Sequence, residues 1–121
     1  FQVITHQGGF PDGDVPSTTW NDHAKVRQTV CDFNLQWAPG SRISYHGLSA
    51  HWVLAMVVEA VTGKDFRDVL RTEVLEPLGL AKDLFVGLPT SETSRMTFLY
   101  EPDAKSPNGL RLRDVALLTL A

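Results

Sequence analysis

The sequence predicts a mainly α-helical chain that forms one lobe of a larger fold. Four segments carry helix start and stop signals, near residues 22–33, 50–62, 65–75 and 113–121. Alternating strand patterns are too few to close a sheet within the chain. One helix is apolar on nearly every side and needs more cover than three amphipathic neighbours supply. We therefore expect residues 1–121 to form a single partial domain.

The first third of the chain contains a loop, a helix and a turn. Residues 1–19 are predicted to be loop, because five glycines and prolines punctuate them: Gly8, Gly9, Pro11, Gly13 and Pro16. Asn21 or Asp22 can cap the first helix, which runs to about Phe33. A Pro-Gly turn follows at residues 37–40, and a short irregular segment leads to Gly47.

The second helix is the most apolar segment of the chain. Ser49 is a suitable N-cap and Gly63 a suitable C-terminal stop for a helix over residues 50–62. Nine of its side chains are apolar: Trp52, Val53, Leu54, Ala55, Met56, Val57, Val58, Ala60 and Val61. We expect this helix to be the most buried element.

The remaining elements are shorter. Asp65 is predicted to cap a third helix that runs to about Leu75, before Pro77. A short strand is predicted at residues 84–86 and a loop at residues 87–109. The last helix is predicted to begin near Arg113 and to continue to Ala121.

Composition excludes several classes of function. The 121 residues carry 11 basic and 14 acidic side chains, a net charge of -3 that argues against nucleic-acid binding. The lone Cys31 excludes an internal disulfide framework and a Cys-rich zinc site. His46 and His51 are five residues apart and do not share a helix face, so neither a metal site nor another cofactor is predicted.

The chain carries no targeting or membrane signal that we could identify. Its longest apolar run, residues 52–58, is far shorter than the roughly 18 residues that span a bilayer. It begins at Phe1 without an initiator Met or a basic leader, and it stops within an apolar run, so we expect a piece of a longer protein. The sequence does not indicate a compartment.

Tyr45 is the strongest candidate for chemistry. It follows the Pro39-Gly40 turn and comes just before the apolar helix. The partial positive charge of a helix N-terminus favours a nearby anion, including a phenolate. Since a tyrosine phenol has an ordinary pKa of about 10, such help is needed before it can act as a base at neutral pH.

Four segments together resemble the serine β-lactamase and penicillin-binding-protein-like superfamily, in the branch of class C β-lactamases, DD-peptidases and family VIII carboxylesterases. They occur in the same order and cover roughly residues 3–88. Residues 4–11 are similar to the Leu-Thr-His-Thr-Ser-Gly-Leu-Pro loop, and residues 37–45 match Trp-x-Pro-Gly-x-x-x-x-Tyr. Residues 61–66 are similar to the Thr-Gly-x-x-Phe junction, and residues 76–80 to the Pro-Leu-Gly-Met/Leu stop.

The resemblance implies a fold and a set of site residues. The chain would be the helical lobe of a β-lactamase/transpeptidase-like α/β fold, with the antiparallel sheet largely outside it. Tyr45 would be the general base of a serine acyl hydrolase, and His46, Gly47 and Asp12 would be candidates for substrate contact. Gly47 replaces the Asn of the usual Tyr-x-Asn motif, which favours an esterase-type activity over β-lactam hydrolysis. His46 could instead cap locally, and Asp12 could serve a turn.

The sequence also lacks parts of that machinery. No serine has a lysine three residues on, and there is no Lys-Thr-Gly. The nucleophile is therefore expected outside this chain, which should be inactive alone. The expected partners are a small ester, amide or β-lactam substrate and the remainder of the parent fold. Two alternatives stay open: a non-catalytic β-lactamase-like binding protein and an independent helical interaction domain.

Overall fold

The structure is a computed structural model that describes residues 1–95, 100–102, 105, 110–112 and 119–120. It divides the chain into two compact units, Phe1–Val74 and Leu75–Ala121. The first unit contains three α-helices: α1 (His23–Cys31), α2 (Gly47–Thr62) and α3 (Phe66–Leu70). Single 3-10 turns lie at Ser17–Thr19 and Thr90–Arg95, and a π-helical turn at Arg71–Leu75. Among the described residues, no helix combines the length and the apolar composition that crossing a bilayer requires.

Helix α1 begins where its sequence predicts. The Asp22 carboxylate accepts a hydrogen bond from the Lys25 backbone N–H at 3.2 Å, which satisfies one of the free donors of the first turn. Asp32 ends the helix. The predicted first helix is therefore confirmed.

Helix α2 begins three residues before the predicted start. His46 occupies the N-cap position, and Gly47 is the first helical residue. Ser49, the predicted cap, lies inside the helix, and its hydroxyl donates to the Pro11 carbonyl at 3.5 Å. The predicted end is confirmed: Gly63 has φ 67°, the left-handed conformation that glycine adopts without steric cost.

Helix α3 is capped as predicted and then changes pitch. The Asp65 carboxylate accepts from the Arg67 backbone N–H at 2.9 Å. After Leu70 the chain continues as the π-helical turn Arg71–Leu75, so the predicted helix over 65–75 is confirmed with a wider last turn.

The core of the first unit lies where α1, α2 and the preceding loop meet. Val15, Val26, Ala55 and Met56 are buried against one another, and Trp20, Trp52 and Phe66 pack around them. Helix α2 contributes five buried residues, against one from α1, so it is the most buried helix, as predicted. It is not covered on all sides, because Val57 is 50% exposed and Val61 is 80% exposed.

The described residues of the second unit include four short strands: β1 (Leu88–Pro89), β2 (Tyr100–Pro102), β3 (Leu110–Leu112) and β4 (Thr119–Leu120). Strand β1 pairs in parallel with β4, and β2 pairs in antiparallel fashion with β3. The prediction of a mainly helical chain with little strand is confirmed.

Three local predictions in this unit differ from the structure. The predicted strand at 84–86 is absent; the nearest strand, β1, begins at Leu88 and pairs with β4, about thirty residues further along the chain. The predicted helix over 113–121 does not include Thr119 and Leu120, which form β4; residues 113–118 and 121 lie outside the described residues. Residues 87–109, predicted to be loop, contain β1, β2 and the 3-10 turn Thr90–Arg95.

Candidate active site

Tyr45 lies on the surface at the entrance to α2. Its side chain is 74% exposed, and it comes two residues before the first residue of that helix. Its ring lies beside the His6 ring, with 4.9 Å between ring centroids and 51° between planes. The Tyr45 side chain is therefore largely open to solvent, and one face of its ring contacts the His6 ring.

His6 holds the backbone on both sides of Tyr45. Its carbonyl accepts a hydrogen bond from the Ser44 N–H at 3.1 Å, and its Nδ1 accepts from the His46 N–H at 3.2 Å. His6 has φ 56°, a left-handed conformation that few non-glycine residues adopt. This unusual backbone lets one residue present its carbonyl and its ring to the same segment.

His46 joins the same segment to the loop that follows His6. Its side chain is fully buried. The Nδ1–H donates to the Ser44 carbonyl at 2.5 Å, and Nε2 accepts from the Phe10 N–H at 3.0 Å. The Phe10 ring meets it edge-on at 4.8 Å. Both ring nitrogens are thus hydrogen-bonded within the chain, and a substrate contact by His46 stays a prediction.

Two of the four segments that carry the sequence resemblance, residues 4–11 and 37–45, pack against each other. The Gly9 carbonyl accepts from the Gln36 N–H at 2.7 Å, and the Gln7 carbonyl accepts from the Gly40 N–H at 2.9 Å. Gly9 has φ 92°, and a Cβ there would lie 2.4 Å from the Trp37 carbonyl oxygen. Only glycine permits this close backbone approach. We call residues 6–10 the clamp loop.

Gly47 and Asp12 occupy different surroundings. Gly47 is half-buried beside Tyr45, and a Cβ added there would lie 3.7 Å from the Tyr45 Cε1, an ordinary contact distance. Asp12 is exposed, and its Oδ2 accepts from the Gln36 Nε2 at 2.6 Å. A side chain at position 47 would therefore begin in van der Waals contact with the Tyr45 ring, whereas Asp12 joins the chain just after the clamp loop to Gln36.

Tyr45 comes just before the N-terminus of α2. Helix α2 has 16 residues, and its N-cap, His46, makes no side-chain hydrogen bond to the first turn. The backbone N–H groups of a first turn carry partial positive charge, and this charge stabilises anions placed near it.

A second group of titratable residues joins the three helices. His23, Glu59 and Asp65 each offer a metal-ligand atom, and these atoms lie within 4.8 Å of one another. His23 Nδ1 is 2.5 Å from Glu59 Oε1, and Nε2 is 3.9 Å from Asp65 Oδ2. The two histidine nitrogens therefore face different carboxylates instead of converging on one point.

Arginine side chains supply positive charge to both carboxylates of this group. Arg27 Nη2 lies 3.8 Å from Glu59 Oε2. Arg67 hydrogen-bonds to the Asp65 carboxylate, and this contact lowers the pKa of Asp65 below its ordinary value. Because both carboxylates have cationic partners, the arrangement fits an ion-pair network that joins the helices better than it fits a cation site.

The role of His6 is the part of the site that the sequence did not reveal. The site candidates predicted from the sequence are Tyr45, His46, Gly47 and Asp12, without His6. Its contacts are to residues 44–46, nearly forty positions away. The one available signal was that His6 and Tyr45 belong to two segments with the same family resemblance.

Comparisons with known proteins identify the family and the fold of the chain. The sequence model of the family described as Beta-lactamase matches residues 1–119. A solved structure described as a novel penicillin-binding protein homolog from Caulobacter crescentus is 31% identical, with a TM-score of 0.67. The match covers 85% of this chain and 28% of that chain, so the present chain spans little more than a quarter of its length. No curated protein matches the sequence. The chain belongs to the beta-lactamase family, and its helices correspond to the helical lobe of a penicillin-binding-protein-like fold.

Proposed function

We propose that this chain carries the general base, Tyr45, of a serine acyl hydrolase. The reaction would pass through a serine acyl-enzyme. Tyr45 takes the proton from the serine hydroxyl as the oxygen attacks the substrate carbonyl, and returns it to the leaving group. The serine comes from a part of the protein outside these 121 residues, since no serine here is followed by lysine at the third position.

One observation carries the proposal. Tyr45 as a residue is 74% exposed, while the N–H groups of residues 44 and 46 are hydrogen-bonded to His6. The segment is thus held at its backbone, and the Tyr45 side chain stays accessible. General-base catalysis needs a group that is both fixed in position and accessible.

The substrate class that we propose is a small ester. Gly47 provides no amide beside the phenol, so a contact to an acylamino side chain of a β-lactam or peptide is absent from this position. A p-nitrophenyl ester and nitrocefin distinguish the two classes. We expect the ester to be hydrolysed with the higher kcat/KM.

The decisive experiment is Tyr45→Phe in the full-length protein that contains this chain. The substitution keeps the ring and removes only the phenol oxygen. We expect kcat to fall by about 10²–10⁴-fold. The melting temperature should stay nearly constant, because the oxygen is exposed and substitutions at such positions usually change stability by about 0.5 kcal/mol or less.

Ile43→Ala is the matched control. Ile43 is 72% exposed in the same segment and has no group that can transfer a proton. It should leave kcat within about threefold of wild type. If Tyr45→Phe also leaves kcat unchanged, Tyr45 is structural and the proposal is wrong. If the wild-type protein binds a fluorescent penicillin or ester analogue reversibly without turnover, a non-catalytic binding protein is the correct description instead.

A further inference from the structure

We propose that His6 is the positioning residue for Tyr45, through a neutral imidazole whose Nδ1 accepts the His46 backbone N–H. The inference rests on the proposed role of Tyr45 as general base. It adds a residue that does not touch the substrate but determines where the phenol points.

The first argument is geometric. The two hydrogen bonds from residues 44 and 46 to His6, at 3.1 and 3.2 Å, flank Tyr45 in sequence. The bond from His46 fixes the peptide plane that follows the Tyr45 Cα, and the bond from Ser44 fixes the peptide between residues 43 and 44. The ring of His6, 4.9 Å from the ring of Tyr45, limits rotation of the side chain on one side. An exposed tyrosine would otherwise sample several rotamers.

The second argument concerns the tautomer. A nitrogen that accepts a hydrogen bond carries no proton, so the proton of neutral His6 is assigned to Nε2. His46 has the opposite assignment, because its Nδ1 faces the Ser44 carbonyl and its Nε2 faces the Phe10 N–H. A protonated His6 would present an N–H to the His46 N–H, and the bond would be lost.

The third argument is backbone conformation. His6 adopts φ 56°, a left-handed conformation that is uncommon for non-glycine residues and that histidine adopts more readily than most of them. The conformation is what brings its carbonyl and its Nδ1 to residues 44 and 46 together.

The test separates the acceptor from the ring in the full-length protein. His6→Asn places a carbonyl oxygen close to the position of Nδ1, and asparagine tolerates a left-handed backbone. His6→Phe keeps an aromatic ring and removes the acceptor. His6→Ala removes both. We measure kcat, KM and melting temperature for each, with Tyr45→Phe as the reference.

We expect His6→Ala and His6→Phe to lower kcat by about 10²-fold with KM changed by less than about threefold, because misplacing a catalytic group by about 1 Å has an effect of this size. His6→Asn should restore kcat to within about fivefold of wild type. Such a rescue is not expected of a residue that acts only on stability.

An independent measurement does not depend on activity. ¹⁵N chemical shifts of the histidine side chains should assign Nε2–H to His6 and Nδ1–H to His46 at a pH where both are neutral. If His6 is found as the Nδ1–H tautomer, or if His6→Phe retains kcat while His6→Asn loses it, the inference is wrong. If Tyr45→Phe leaves kcat unchanged, the proposed function is wrong. The tautomer of His6 then still tests whether its Nδ1 accepts the hydrogen bond from His46, because that measurement does not depend on activity.

Discussion

At the scale of single residues, two glycines near the site have opposite roles. Gly9 has φ 92° and no room for a Cβ, since the Trp37 carbonyl oxygen would lie 2.4 Å away. Gly47 has ordinary contact distance around an added Cβ, 3.7 Å to the Tyr45 ring, and it lies at the first position of α2. The backbone therefore requires glycine at residue 9 and does not require it at residue 47.

The first prediction compares alanine at these two positions. Gly9→Ala should lower the free energy of unfolding by about 2 kcal/mol or more, because backbone strain and a steric clash add. Gly47→Ala should leave it unchanged or raise it by up to about 1 kcal/mol, because alanine loses less conformational entropy in a helix. Urea unfolding followed by circular dichroism measures both. Equal destabilisation by the two variants would contradict this assignment.

At the scale of elements, the helix ends that depend on neighbouring residues were predicted correctly from the sequence. The carboxylates of Asp22 and Asp65 cap their own helices within three residues, and Gly63 ends α2 through its own φ angle. The start of α2 was predicted wrongly because Ser49 has the right residue type for a cap, while its hydroxyl is used by Pro11, 38 residues earlier. The position of β1 likewise depends on a distant partner, β4.

The candidate site divides in the same way. Tyr45 could be identified as a candidate from a turn and a helix start within ten residues of it. The contacts of His6 and the burial of His46 could not be predicted, because hydrogen bonds across 36 and 40 residues leave no periodic pattern in the sequence.

The second prediction concerns the cap of α3 under acid. Arg67 and the backbone N–H of the same residue lower the pKa of Asp65. Its stabilising contribution is therefore present above the pKa of an unfolded aspartate, about 3.9, and is lost as pH falls through the lower folded value. Asparagine is as good an N-cap as aspartate, so Asp65→Asn removes mainly the negative charge that Arg67 contacts. It should cost up to about 1 kcal/mol at pH 7, and this difference should shrink below pH 4.

Asp68→Asn is the control for that measurement. Asp68 lies in the same helix and is 65% exposed, with Arg71 3.5 Å away. Its substitution should have an effect of less than about 0.5 kcal/mol, with little dependence on pH. A pH-independent loss in Asp65→Asn would show that the charge of Asp65 does not stabilise the cap. Thermal unfolding between pH 3 and pH 7 provides both comparisons.

At the scale of the whole molecule, one face of α2 exposes apolar side chains to solvent. Val57 and Val61 lie four residues apart on α2 and are 50% and 80% exposed. Residues at this spacing share one face of a helix. Exposed apolar patches of this kind promote association with another surface.

The third prediction follows from this face. The isolated chain should self-associate in a concentration-dependent way, and Val57→Lys with Val61→Lys should shift it towards monomer without lowering its melting temperature by more than a few degrees. Sedimentation velocity measures the association. Ile43→Lys, at a 72% exposed position outside α2, is the control and should not change it. Equal association of all three proteins would exclude the α2 face as its cause.

The clamp loop also has a consequence for the order of folding. Helix α2 forms from contacts between near neighbours, whereas the hydrogen bonds that hold Tyr45 close loops of 36 to 40 residues. Long loop closure costs chain entropy before any contact compensates for it, and non-local contacts form more slowly than local ones. His6 is also synthesised about forty residues before the segment that it holds. We therefore expect the helices to be present first and the contacts between the clamp loop and residues 44–46 to be completed last, so that the helical circular-dichroism signal should appear before these contacts form.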